Sequence, residues 1–158
     1  MSLALEITIS DELGSAASTE NDLPDFVPEP ELLQTWADAA YLDAEPAVAS
    51  VLVTTMTEIR ELNKQYRNKD KATNVLSFPI ESPDEIYVVL VGDIVLCARV
   101  IKQEASQQSK SEEVHWAHMI VHSVLHLQGY DHVNDDDAEV MEKLEIKILH
   151  QLGFENPY

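Results

Sequence analysis

A chain of 158 residues, 45% hydrophobic and 25% charged, is long enough to bury a core of its own, and that balance excludes wholesale disorder. The single cysteine, Cys97, excludes an internal disulfide, and no apolar run reaches the roughly 18 residues that a membrane-spanning helix needs. A formal net charge of −19 argues against a body coated in nucleic acid, because polyphosphate is repelled at long range.

Leu3, Leu5, Ile7 and Ile9 alternate with small or polar residues and predict a half-buried strand. The opening residues, MSLALEITIS, carry no basic leader and do not read as a signal peptide. With the lone cysteine, this predicts a soluble, cytoplasmic protein. The polar, acidic stretch from Ser10 to Pro28 reads as a loop. PEPELLQTWADAAYL then starts a helix, with Pro30 in its first turn and an apolar stripe of Leu32, Leu33, Trp36 and Tyr41.

VASVLVT is short and β-branched, a strand; TMTEIRELNKQYR returns to helical spacing through Met56, Ile59 and Leu62. TNVLSFPI is a further strand closed by Pro79, and IYVVLVGDIVLC a longer extended run interrupted at Gly92-Asp93. Three helices complete the chain, over Ala98 to Ser109, Glu113 to Gln128 and Asp136 to Leu152. This order predicts one α+β domain over residues 1–158, a mixed sheet of about four strands covered by helices.

Charge is unevenly placed. Arg60, Lys64, Arg67, Lys69 and Lys71 gather half of the chain's ten Lys and Arg residues into one segment. By charge alone that segment reads as a solvated helix end and loop.

Of the six histidines, three fall in HSVLHLQGYDH, from His122 to His132. The preceding helix is apolar on nearly every side, through Trp116, Met119, Ile120, Val121, Val124, Leu125 and Leu127, and such a helix is buried. His122 and His126 stand one turn apart, so both rings leave the same face and can grip one ion. His118 is about 12 Å from His126 along the axis. It cannot share that ion and reads as a core or supporting residue.

Gly129 can take the left-handed conformation that ends a helix, and Tyr130 and Asp131 then bring the chain round to His132. The pattern H-x-x-x-H-x-x-G-x-x-H therefore predicts a metal held by His122, His126 and His132. Three neutral imidazoles leave a coordination position open, the arrangement of catalytic sites. The spacing matches the metzincin peptidases, so a zincin-like site on a buried helix is expected. Where those enzymes carry a glutamate as general base, however, this chain has Ser123.

HWAHMIVHSVLHLQGYDH resembles the signature of the YbeY family of endoribonucleases, which act in ribosomal RNA maturation. The resemblance extends over ELNKQYRNKDKATNVLSFP, GDIVL, DDDAEVMEKLE and LGFENPY. It implies a single-strand-specific endoribonuclease acting in maturation of the small-subunit ribosomal RNA 3′ end and in ribosome assembly or quality control. It also implies a Zn2+ ion on His122, His126 and His132 and a cleft-facing arginine that matches Arg67. A guanidinium can hold a phosphate bidentately and offset transition-state charge. The implied partners are single-stranded or precursor ribosomal RNA, the small subunit and its assembly factors, with no membrane and no nucleotide cofactor. The family usually has glycine at position 123, and serine there could narrow the space beside the metal.

Imidazole ligands alone suit zinc, nickel, copper or iron. Asp93 reads equally as a partner fixing a histidine tautomer and as a group satisfying backbone beside Gly92. Asp131 reads as a turn residue, Asn134 or Asp135 as a helix cap, and Met141 and Cys97 as core. Two other functions fit the same ligands: a metallopeptidase-like hydrolase, weakened by Ser123, and a non-catalytic ribosome-assembly factor with a structural metal.

Overall fold

Four strands form one mixed sheet in the order β1-β2-β4-β3, in a computed structural model that describes residues 3–10, 25–43, 45–80, 89–131 and 133–158. The strands are β1 (Leu3–Ile9), β2 (Ala47–Thr54), β3 (Val75–Pro79) and β4 (Val89–Cys97). Among the described residues the helices are α1 (Pro30–Ala40), α2 (Met56–Arg67), α3 (Ala98–Gln107), α4 (Glu112–Leu127) and α5 (Asp135–Gln151). β1, β2 and β4 run parallel, and β3 pairs antiparallel with β4 at the edge. The α+β class, the mixed sheet and the element order all agree with the sequence reading. Most of the stretch from Ser10 to Pro28, and the start of the IYVVLVGDIVLC run, lie outside the described residues. Among the described residues no helix is long and apolar enough to cross a membrane.

The two faces of the sheet are covered unequally. Val51, Val53, Ile94 and Leu96 point into the main core, where they meet Leu33 and Trp36 of α1, Trp116 and Ile120 of α4, and Met141 and Leu149 of α5. The opposite face carries a smaller cluster of Ile59, Leu76, Val95 and Cys97 beneath α2. Cys97 is a fully buried free thiol, and burial raises its pKa, as its reading as a small core hydrophobe requires.

Two apolar stripes differ from expectation by a residue or two. In α1 the buried set is Leu33, Trp36, Ala37 and Ala40, while Leu32 is exposed. Ile9 is likewise exposed at the end of β1. Small residues at positions 37 and 40 let α1 approach α4 closely, so a stripe counted from large residues alone misplaces the face.

The approach of α4 to the sheet depends on Gly92. Between Val48 and Ala49 the pairing of β2 with β4 slips, leaving Val91 as an extra residue, a bulge just before the glycine. Gly92 has φ +150°, and a Cβ there would lie 2.4 Å from the Phe78 carbonyl oxygen and 2.7 Å from Leu127 Cδ2. Bare backbone is thus the seat for the last residue of α4.

Gly92→Ala is therefore expected to lower the unfolding free energy by about 2–3 kcal/mol, from overpacking and backbone strain together. Gly129→Ala, with open space around the Cβ and only a φ of +97° to resist it, should cost about 1 kcal/mol. Urea unfolding checks both through the midpoint at constant slope. A wild-type midpoint for Gly92→Ala would show that α4 is not seated in this way.

Candidate active site

Both ends of α4 are fixed by local chemistry. Ser111 caps the helix by accepting from the Val114 N–H at 3.2 Å, with Glu112 and Glu113 favourably placed in the first turn. At the other end the Gly129 N–H donates to His126 O at 3.0 Å and the Tyr130 N–H to Leu125 O at 3.2 Å. This paired closure requires the positive φ that Gly129 supplies. Gln128 ties the same end to α1: its side-chain amide donates to Ala40 O at 2.7 Å and accepts from the Leu42 N–H at 2.8 Å. The helix is thus held in place where His122 and His126 emerge from it.

These two histidines open into a cleft of 460 Å³ that Arg67, Ser77, Tyr130 and Asp131 also line. Their ring centroids are 4.6 Å apart, the planes nearly perpendicular. His122 Nδ1 lies 2.5 Å from Glu145 Oε1, and His118 Nε2 lies 3.0 Å from Glu145 Oε2. Tyr158 donates its hydroxyl to that second oxygen.

Glu145 is wholly buried. Burial alone would push its carboxyl up, but hydrogen bonds donated by His118, His122 and the Tyr158 hydroxyl together hold it at about 2. A carboxylate only accepts. His122 therefore carries its proton on Nδ1, which leaves Nε2 as the nitrogen with the lone pair. Asp131 Oδ1 stands 4.0 Å from His126 Nδ1, an ion-pair distance beyond hydrogen-bond reach. Burial lowers the pKa of His118 against the raising effect of Glu145, so its ring is a neutral donor inside the core.

Arg67 arrives from the opposite wall. It is the last residue of α2, which closes on Asn68 in the left-handed conformation, at φ 58°. Asn63, buried in α2, donates its side-chain amide to Lys71 O at 2.9 Å and pins the following loop. Arg67 Nη2 donates to Ser77 O at 3.0 Å, which fixes the guanidinium against β3 at the cleft wall. One such bond engages a fraction of its five N–H donors.

The structure thus brings Arg67, His122 and His126 together, and it leaves His118 in the supporting role its spacing predicts. The third predicted ligand, His132, lies outside the described residues. Among the described residues no group of three or more His, Cys, Asp or Glu side chains is gathered closely enough to hold a metal. The donors that are present suit an N-ligated divalent ion. Two imidazoles face one cleft, and the tautomer of His122 is set by a buried carboxylate, as metal-ligating histidines typically require.

Three expectations are refined and two hold. Asp93 lies on the sheet face beneath α2, opposite the histidines, so the tautomer-fixing role belongs to Glu145. Ser123 does not narrow the cleft: its hydroxyl is buried and turns back to donate to Met119 O at 2.6 Å. Asp131 does more than shape a turn, since it stands beside His126. Asn134 is the cap of α5, accepting from the Asp137 N–H at 2.9 Å, and Met141 is plain core. Glu145 and Tyr158 were not legible as site residues. The available signal for Glu145 was an acid within the apolar stripe of Met141, Leu144 and Ile148.

A family model described as Endoribonuclease YbeY matches residues 29–153. The fold is similar to that of TM1509 from Thermotoga maritima, solved in solution, with a TM-score of 0.51 and 22% identity. That likeness covers 96% of this chain and 91% of the other, and at such identity it is one of fold alone.

Glu145→Leu removes the acceptor from three donors, of which His118 is buried and His122 half-buried, and is expected to lower the unfolding free energy by about 3 kcal/mol. The side-chain 15N spectrum should show His122 protonated on Nδ1 in the wild type and redistributed in the variant. A wild-type ring already protonated on Nε2 would contradict the assignment.

Proposed function

The chain belongs to the YbeY endoribonuclease family, and from that premise we propose that it is a metal-dependent, single-strand-specific endoribonuclease of ribosomal RNA maturation. The substrate proposed is precursor small-subunit ribosomal RNA near its 3′ end, processed in the cytoplasm with the small subunit and its assembly factors as partners. The whole chain, residues 1–158, would act as one domain. The observation that carries this reading is one cleft holding a guanidinium opposite two histidines, one of whose tautomers is fixed from behind.

His122, His126 and His132 are the residues proposed to hold a zinc ion. When bound, such an ion polarises a phosphoryl oxygen or acidifies a water. The protein's own groups supply the rest. Glu145 orients His122 and keeps its Nε2 unprotonated. Arg67, anchored on Ser77 O, binds the phosphate and offsets the negative charge that grows on it during cleavage. The basic segment lowers the local cost of bringing RNA to an acidic body. Arg60 is engaged by Asp70 at 2.8 Å, so the contribution there falls to Lys64, Lys69 and Lys71. Transfer to water and transfer to the RNA 2′-hydroxyl are both compatible with these groups, and the product termini separate them.

The peptidase alternative loses further ground. Its general base would stand at position 123, where a buried hydroxyl donates to its own helix.

The test is cleavage of an end-labelled, single-stranded precursor of small-subunit ribosomal RNA, with bound metal assayed in parallel. Wild type should cut. His126→Ala should lose both metal and cutting, and Arg67→Ala should keep its metal while slowing about 10²–10³-fold. Equal rates in all three would assign the activity to a contaminant. Metal-loaded wild type that never cuts would favour the non-catalytic assembly factor.

A further inference from the structure

β3 is an edge strand whose alternate residues serve opposite faces of the sheet. Ser77 lines the cleft with Arg67 and the histidines. Phe78, next in sequence, faces a second groove of 390 Å³ on the far side. The end of α2 repeats this division: Arg67 reaches Ser77, while Tyr66 lines the far groove. The two hollows are thus back to back across one strand.

Tyr66 and Phe78 meet edge to face with centroids 5.3 Å apart, and Tyr66 is 61% exposed. So large an aromatic surface left to solvent adds little to the core. The groove is lined by the apolar Leu52, Leu62 and Val95 and by the polar Ser50 and Asp93, the latter the cross-strand partner of Phe78.

We infer that this groove is a base-binding subsite, in which a nucleobase flanking the cleaved linkage stacks on Tyr66 while Asp93 accepts hydrogen bonds from its amino edge. The inference rests on the endoribonuclease reading and deepens it. Continuity with the cleft argues for a nucleotide: a single strand with its phosphate at Arg67 crosses the β3 edge and turns its next base into the groove. An exposed aromatic face stacks any base. A carboxylate repels phosphate and accepts only, so Asp93 selects a base edge rather than backbone. Guanine presents two adjacent N–H donors for a bidentate contact. Uracil presents carbonyl oxygens on both sides of its one donor and is disfavoured. A duplex, its base edges already paired, cannot enter, which gives the single-strand preference a structural origin.

The experiment is fluorescence anisotropy of labelled oligouridine, with and without one guanosine, in chelator so that cleavage is suspended; cleavage is then assayed separately with metal. Wild type should bind the guanosine-containing strand about tenfold more tightly. Tyr66→Ala should weaken binding of both strands about tenfold or more, and Tyr66→Phe, which keeps the ring, should restore it. Asp93→Asn should erase the guanine preference while retaining overall affinity. If Tyr66→Ala fails to fold, the Asp93→Asn result decides alone. Wild type that binds and cuts RNA with no guanine preference, and with no loss in Tyr66→Ala, overturns the subsite but not the endoribonuclease. RNA that wild type neither binds nor cuts overturns both.

Discussion

A wholly buried carboxylate organises this molecule's candidate site. Glu145 accepts from His118, His122 and Tyr158, three side chains that come from α4 and from the chain beyond α5. An ionised group so far from water is costly unless fully hydrogen-bonded, and here the bonds outweigh the desolvation. The consequence is directional. The interior dictates which nitrogen of His122 carries the proton, and so which nitrogen the cleft receives.

The remaining architecture keeps that relay in place. α4 is buried along most of its length, ends on a glycine-dependent turn, and rests its last residue on the bare backbone of Gly92. Arg67 is held independently, through the end of α2 and the edge strand β3. The cleft is therefore lined from two elements, α4 presenting imidazoles and the end of α2 a guanidinium. Such a division suits phosphoryl chemistry, where positioning and charge stabilisation do most of the work.

What the sequence made legible follows the range of the forces involved. Strands and helices were readable because alternation, helical spacing and caps such as Asn134 are local signals. His122 and His126 were readable because two imidazoles one turn apart share a face, and on a helix otherwise apolar that face must meet something polar. Glu145 was hidden among the many acids of its helix; only the packing of α5 against α4 shows which acid turns inward. Tyr158 is 13 residues from Glu145 and 40 from His118, beyond the reach of any local signal. Arg67 could be singled out from its basic neighbours only by resemblance, since its bond to Ser77 O depends on how β3 lies against α2. Asp93 illustrates the converse: an acid in an apolar strand read equally as a histidine partner or as a group satisfying backbone, and strand alternation puts it on the face away from the histidines.

Glu145, as proposed above, prepares His122 to bind a metal ion. The most direct measurement is calorimetric titration of Zn2+ into metal-free wild type and Glu145→Gln, a nearly isosteric change that removes the charge. That preparation requires affinity lower by about 10–100-fold in the variant, with the fold retained. Equal affinities would contradict it and would reduce Glu145 to a purely structural role.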